Sequence, residues 1–186
     1  MIVLLNQLEK TVHYNLLNIK NNVYVILMSI RNKRLLKEQQ RLDNYEIHWP
    51  DDWTHHETVK LKTVQKDTYI SLEIGMKYPF RFPKMYVHPE FKDGIEYISW
   101  FLKLKNKNRH IITNMGINVE CVCCDNITCK WAPSYGIANM IEDFIKHYNI
   151  YNTLDKFRII YQKINGFDDL IYKNIMLYLY NAETNS

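Results

Sequence analysis

Two short runs of alternating residues constrain this chain more than anything else in it. In residues 59–63, Val59, Leu61 and Thr63 alternate with Lys60 and Lys62. In residues 70–74, Ile70, Leu72 and Ile74 alternate with Ser71 and Glu73. A period of two sends every second side chain to the same side of an extended backbone, which is the pattern of a half-buried antiparallel strand. Gln65, Lys66 and Asp67 provide a hairpin connection between the runs. Tyr45, Ile47 and Trp49 alternate in the same way until Pro50-Asp51-Asp52 breaks the chain. Met85 and Val87 supply a last short strand beyond a loop that contains Pro79 and Pro83. The expectation is a four-stranded antiparallel meander.

Helical patterns flank the meander. Residues 31–42 combine good helix formers, among them Leu35, Leu36 and Glu38, with a basic face of Arg31, Lys33, Arg34 and Lys37 that is expected to be exposed. Ile137, Met140, Ile141, Phe144 and Tyr148 form an amphipathic stripe, with Gly136 as its N-cap. Asn152 or Thr153 can cap a second helix bearing Leu154, Phe157, Tyr161 and Ile164, which Asn165-Gly166 ends. A last helix from Asp168 carries Ile171, Ile175 and Tyr178. Strands and helices that are segregated along the chain predict an α+β fold rather than a doubly wound parallel sheet.

At 186 residues the chain has the size of one domain. Leu4, Leu8 and Val12 could share a helical face, but residues 1–22 show no clear period. Asn6, Asn15, Asn18, Asn21 and Asn22 argue against a long helix there. Residues 1–27 therefore read as an N-terminal extension and 28–182 as the domain. An insertion is expected at about 91–112, in which Ile95, Tyr97, Ile98, Trp100, Phe101 and Leu102 form a short helix or strand. The charged run 103–109 then reads as a solvated loop.

A net charge of +4 is too mild to imply a nucleic-acid partner. The apolar runs at 1–5 and 23–28 fall well short of the roughly 18 residues of a membrane span, and the start of the chain lacks the pattern of a signal peptide. Neither a membrane nor an export route is expected. All four cysteines, Cys121, Cys123, Cys124 and Cys129, crowd into one short segment, which suits free thiols in a reducing compartment better than a disulfide framework. The expected location is the cytoplasm, with the nucleus also open. The lean toward Asn, Ile, Lys and Tyr suggests an AT-rich coding sequence, which bears on source and not on function.

Two segments stand out locally. One is Tyr78-Pro79-Phe80-Arg81-Phe82-Pro83-Lys84, an aromatic loop stiffened by two prolines that a central strand would not admit. The other is Val122-Cys123-Cys124-Asp125, with Trp131-Ala132-Pro133-Ser134 downstream. In this order they resemble the ubiquitin-conjugating enzymes. That family has a YPF-x-x-P-x loop between two strands. Further on come an apolar residue, the active cysteine, a residue that is usually Leu, an Asp, and a Trp eight positions after the cysteine. A Ser-Pro-Ala turn then opens a helix. Here Trp131 stands eight residues after Cys123, and Ala132-Pro133-Ser134 stands at the turn. The basic first helix is also similar to the family's, so the resemblance runs from about residue 30 to residue 145. There are departures. The family's His-Pro-Asn triplet is represented by Ile112-Thr113-Asn114, one residue further from the cysteine, while His88-Pro89-Glu90 comes far too early. Cys124 directly follows the nucleophile position, and Phe82 replaces a common Pro.

The resemblance implies a ubiquitin-conjugating-enzyme-like fold and an acyl transfer. Cys123 would accept ubiquitin, or a ubiquitin-like protein, as a thioester from an activating enzyme and pass it to a lysine amine. A thiol suits both steps, since its thiolate attacks well near neutral pH and leaves well. Asn114 would stabilise the tetrahedral oxyanion, with Asn118 and Asn126 as rivals. Phe80, Ala132 and Pro133 would meet a ubiquitin ligase, although Phe80 could equally be core. Arg31, Lys33, Arg34 and Lys37 would dock the activating enzyme, although such a run is usually just a solvated face. No cofactor or metal is expected, because ATP is consumed by the activating enzyme. Two other readings stay open: a binding module of the same fold with weak catalysis, and a zinc-stabilised interaction domain. The zinc reading would use the Cys121–Cys124 pair with Cys129 and either His110 or His147.

Overall fold

The computed structural model describes residues 2–66, 68–89, 93–114, 126–164 and 169–184. It is α+β, with an N-terminal helix, a four-stranded antiparallel sheet and C-terminal helices. In chain order the elements are α1 (Ile2–Gln39), β1 (Val59–Gln65), β2 (Thr68–Ile74), β3 (Lys84–His88), β4 (Ile95–Glu96), α2 (Tyr97–Asn114), α3 (Ile127–Lys130), α4 (Ile137–Ile164) and α5 (Asp169–Thr184). The strands pair in sequence order, β1-β2-β3-β4.

The two alternating runs form β1 and β2. Gln65 pairs with Thr68 across the hairpin. Lys66 takes a φ of 52°, the left-handed conformation such hairpin loops use. Val59, Leu61, Thr63, Ile70, Leu72 and Ile74 all face the core, and β3 adds Met85 and Val87 to the same face.

Four sequence expectations need correction. Tyr45, Ile47 and Trp49 do not form a strand: Tyr45 lies in a 3-10 turn, Glu46 takes a φ of 47°, and only His48 bridges to Lys62. The fourth strand is instead Ile95–Glu96. The expected solvated loop at 103–109 is the middle of α2. Tyr97, Trp100, Phe101, Lys105, Asn108 and Ile112 recur at helical spacing on its buried side. Lys105 is buried there with its ammonium 5.6 Å from the Phe101 ring centroid, a favourable cation–aromatic contact. Third, α4 is one helix through Asn152 and Thr153, where a cap was expected. The buried stripe continues without a step through His147, Ile150, Tyr151 and Leu154, so packing overrides the local capping preference. Fourth, of the supposedly aperiodic residues 1–22, residues 2–22 belong to the 38-residue helix α1. Among the described residues, no helix is long and apolar enough to cross a membrane.

Near its C-terminal end α1 is fastened to the rest of the protein by Glu38, which is 7% exposed. One carboxylate oxygen accepts hydrogen bonds from the Tyr78 hydroxyl and from Arg34 Nε. The other accepts from the backbone N–H of Ile137 at 2.7 Å. Ile137 begins α4, so Glu38 satisfies one of the unpaired N–H groups of that helix and places negative charge at the positive end of its dipole. Gly136 leaves room for this contact, since a Cβ there would lie 2.9 Å from Glu38 Oε2. Its own N–H donates to Asn139 Oδ1 at 2.9 Å, a reciprocal cap from the first turn of α4.

Glu38→Ala would leave the buried Tyr78 hydroxyl and the Ile137 N–H without an acceptor. The expected loss is about 3 kcal/mol of unfolding free energy in urea denaturation, with Glu38→Gln milder because it retains a carbonyl acceptor. Gly136→Ala should also destabilise, by about 1–2 kcal/mol, by displacing the carboxylate.

Candidate functional site

The two unusual sequence segments meet. The Tyr78–Pro79 peptide bond is cis. Tyr78, Pro79 and Pro83 are buried while Phe80 and Arg81 face outward, so the loop is pinned at both ends. Turn hydrogen bonds from Tyr78 N to Gly75 O and from Arg81 N to Lys77 O hold its backbone. From the other segment, Trp131 Nε1–H donates to Pro79 O at 2.8 Å. The Trp131 ring lies edge-on to Phe82, with centroids 5.3 Å apart, and 6.0 Å from the Tyr78 ring. Arg34 completes the junction by donating to Ser134 O and Tyr135 O at 3.2 and 3.1 Å. Phe80 is 56% exposed, which settles that it is not core. Pro133 is exposed and Ala132 half-buried on the neighbouring turn.

A second polar cluster fixes the chain just before that turn. Asn126 is buried and caps α3, its side-chain oxygen accepting from Thr128 N at 2.8 Å and from the Thr128 hydroxyl at 2.6 Å. Asp143 Oδ2, on α4, accepts from Ile127 N at 3.2 Å and from the Tyr97 hydroxyl at 2.8 Å. His147 lies one turn further along α4. Its Nδ1 is 2.8 Å from the carbonyl oxygen of Asp143 and 3.1 Å from the Tyr97 hydroxyl, and its ring packs edge-on to Phe101. It is a core histidine whose Nδ1 is hydrogen-bonded.

The expected site residues divide accordingly. Cys121, Cys123, Cys124 and Asn118 lie outside the described residues. Asn114 is the last residue of α2, and its side chain is likewise outside them. Asn126 is engaged as a helix cap, and Cys129 is an exposed free thiol on α3. The exposed basic face needs correction. Lys33 and Lys37 are exposed, but Arg31 is fully buried, donating to the backbone oxygens of Glu57 and His56 at 2.7 and 2.6 Å. Burial pushes its guanidinium pKa down. Arg34 is turned toward Glu38 and the 134–135 backbone. These two arginines are structural fasteners. Among the described residues, no group of three or more His, Cys, Asp or Glu could hold a metal ion.

Glu38 and Asp143 were not singled out by sequence. A Glu four residues after an Arg on the first helix, and an Asp inside the apolar stripe of α4, were the available signals. No family model, curated protein or solved structure matches the chain.

Two buried phenols make stability sensitive to alkali. Tyr78 is pushed well above the usual phenol range, first by burial and then by the Glu38 carboxylate beside it. Tyr97 is raised by burial and then by Asp143. In the unfolded chain both ionise near pH 10, while in the folded chain both stay protonated. Above that pH the unfolded state binds fewer protons, so stability is full below about pH 10 and falls as pH rises, by about 1.4 kcal/mol per pH unit for each tyrosine. Denaturant titrations at pH 9, 10 and 11 should show this decline, and Tyr97→Phe should make it shallower.

Proposed function

We propose that this chain is an acyl carrier of the ubiquitin-conjugating type, with Cys123 as the thioester nucleophile. The observation that carries the reading is the hydrogen bond from Trp131 to Pro79. It joins the aromatic proline loop to the Ala132-Pro133-Ser134 turn, as one partner surface built from two distant segments requires. The ordered helix, antiparallel sheet and C-terminal helices are compatible with a ubiquitin-conjugating-enzyme-like fold.

In this reading the Cys123 thiolate attacks the thioester carbonyl that joins ubiquitin, or a ubiquitin-like protein, to the activating enzyme. The activating enzyme's thiolate leaves, and the acyl group stays on Cys123. A substrate lysine, as the free amine, then attacks the same carbonyl. The tetrahedral oxyanion collapses by expelling the Cys123 thiolate, and the amine proton passes to solvent, leaving an isopeptide bond. Asn126 and Asp143 fix the chain immediately downstream of the cysteine segment. Lys33 and Lys37 offer positive charge to the activating enzyme, and Phe80 with Ala132 and Pro133 offers a rigid apolar contact to a ligase. A reducing compartment such as the cytoplasm keeps the thiol competent.

A second reading is a binding module of the same fold with weak catalysis. It is favoured by the position of Asn114 at the C-terminal end of α2. A helix C-terminus carries partial negative charge and unpaired carbonyls, which oppose an oxyanion. The two readings differ in Asn114→Ala. If Asn114 is the donor, lysine discharge slows by about 10²-fold while charging is unchanged. Equal discharge rates remove Asn114 from the site.

The test of the main reading is charging by activating enzyme, ubiquitin and ATP. Cys123→Ala should abolish a thiol-sensitive ubiquitin adduct, and Cys123→Ser should convert it to a thiol-resistant oxyester. Cys124→Ala should leave it intact, and loss with Cys124→Ala alone would move the nucleophile by one residue. Phe80→Ala should charge normally but discharge slowly with a ligase. Because Phe80 is exposed, the variant should keep the parent's melting temperature.

A further inference from the structure

Helix α1 is fastened at Arg31, whose guanidinium holds the backbone of residues 56 and 57, and at Tyr24, whose hydroxyl lies 3.2 Å from Glu57 Oε1. The preceding stretch is different. Residues 12–23 are exposed on every side of the helix. Large apolar side chains lie on that surface: Val12, Leu16, Ile19 and Val23 are 49–59% exposed to solvent, and beyond them Ile26 is 57% and Ile30 37% exposed. A helix of this kind holds little stability by itself in water, where most helices depend on packing one face against a neighbour.

Those six residues stand at alternating intervals of four and three. This 3.5-residue period marks a coiled-coil seam, with Leu16, Val23 and Ile30 at a and Val12, Ile19 and Ile26 at d. Upstream the register passes through Glu9 at a and Leu5 at d. The flanking e and g positions, His13, Asn15, Lys20, Asn22, Leu27 and Ser29, include no acid. In parallel copies Asn15 at g faces Lys20 at e of the neighbour, so along residues 12–30 like charges do not oppose self-pairing, and Glu9 at a marks the upstream limit of the seam. The face away from the seam mixes Asn18 and Asn21 with exposed Tyr14, Leu17 and Val25, and lacks the Lys and Arg expected of a helix lying on an anionic membrane.

We propose that the exposed part of α1 packs against further copies of this chain as a coiled coil. The occupant of the seam is the same heptad face of another molecule. Branched side chains at all three d positions, with Leu16 at an a position, favour three or four strands over two. The oligomer presents several candidate sites from one stalk, and its existence is independent of whether those sites are catalytic.

The experiment is sedimentation equilibrium of the full chain and of the double variant Ile19→Glu/Ile26→Glu, at about 100 μM protomer, since assembly depends on concentration. The parent should show a mass of three or four protomers of 22.5 kDa and the double variant that of one. Tyr14→Glu alters the f position, away from the seam, and should keep the parent's mass. The near-ultraviolet circular dichroism of the variants should match the parent, because the substituted side chains lie outside the core. A monomeric parent would overturn the proposal, as would a double variant that keeps the parent's mass. A monomeric parent that binds vesicles of phosphatidylglycerol would assign the apolar face to lipid.

Discussion

The Glu38 carboxylate is the point at which three separate parts of this chain are tied together. It accepts from the Tyr78 hydroxyl, from Arg34 and from the first N–H of α4, so it links the first helix, the loop after β2 and the helix that follows the cysteine segment. Each of those donors would carry a desolvation cost if left alone in the interior, and one buried carboxylate satisfies all three. The arrangement also favours glycine at 136, because a Cβ there would come within 2.9 Å of the carboxylate and displace it. Arg34 then reaches past Glu38 to the 134–135 backbone, so the Ala132-Pro133-Ser134 turn is fixed from one side by α1 and from the other by the Trp131 hydrogen bond to Pro79.

This wiring explains why the exposed surface around Phe80 can be rigid. Pro79 and Pro83 are buried pegs, the Trp131 ring fills the space between the loops, and only Phe80 and Arg81 are left facing water. A large aromatic held out by buried neighbours costs little conformational entropy when a partner covers it. The core beneath supports the same junction: Tyr97 and Trp100 of α2 pack on Phe144 of α4, Phe101 packs on His147 and Tyr151, and Asp143 ties that packing to α3.

The sheet was legible because its chemistry is local. Val59–Leu61–Thr63 and Ile70–Leu72–Ile74 declare their faces without reference to anything distant, and the hairpin loop falls between them. The helices were less legible where tertiary contacts override local preference. Lys105 and Asn108 read as loop residues, yet they lie on the buried side of α2. Lys105 lies beside the Phe101 ring, and Asn108 bonds back to Leu104 O at 3.0 Å. Asn152 and Thr153 looked like a cap, but the apolar stripe runs through them. The asparagines of the N-terminal segment concealed a heptad because they occupy its polar side. For the candidate site, the proline loop and the Trp131 turn were visible as motifs, whereas their junction was not: Glu38 looked like one more surface helix former, and Arg31 like one more exposed cation.

The central claim is that Cys123 carries an acyl group delivered by an activating enzyme. Intact mass spectrometry of the parent protein after incubation with activating enzyme, ubiquitin and ATP tests it most directly. The account predicts a new species heavier by one ubiquitin less one water, which returns to the starting mass on treatment with dithiothreitol. A folded parent whose mass stays unchanged under conditions that charge a known conjugating enzyme would contradict it.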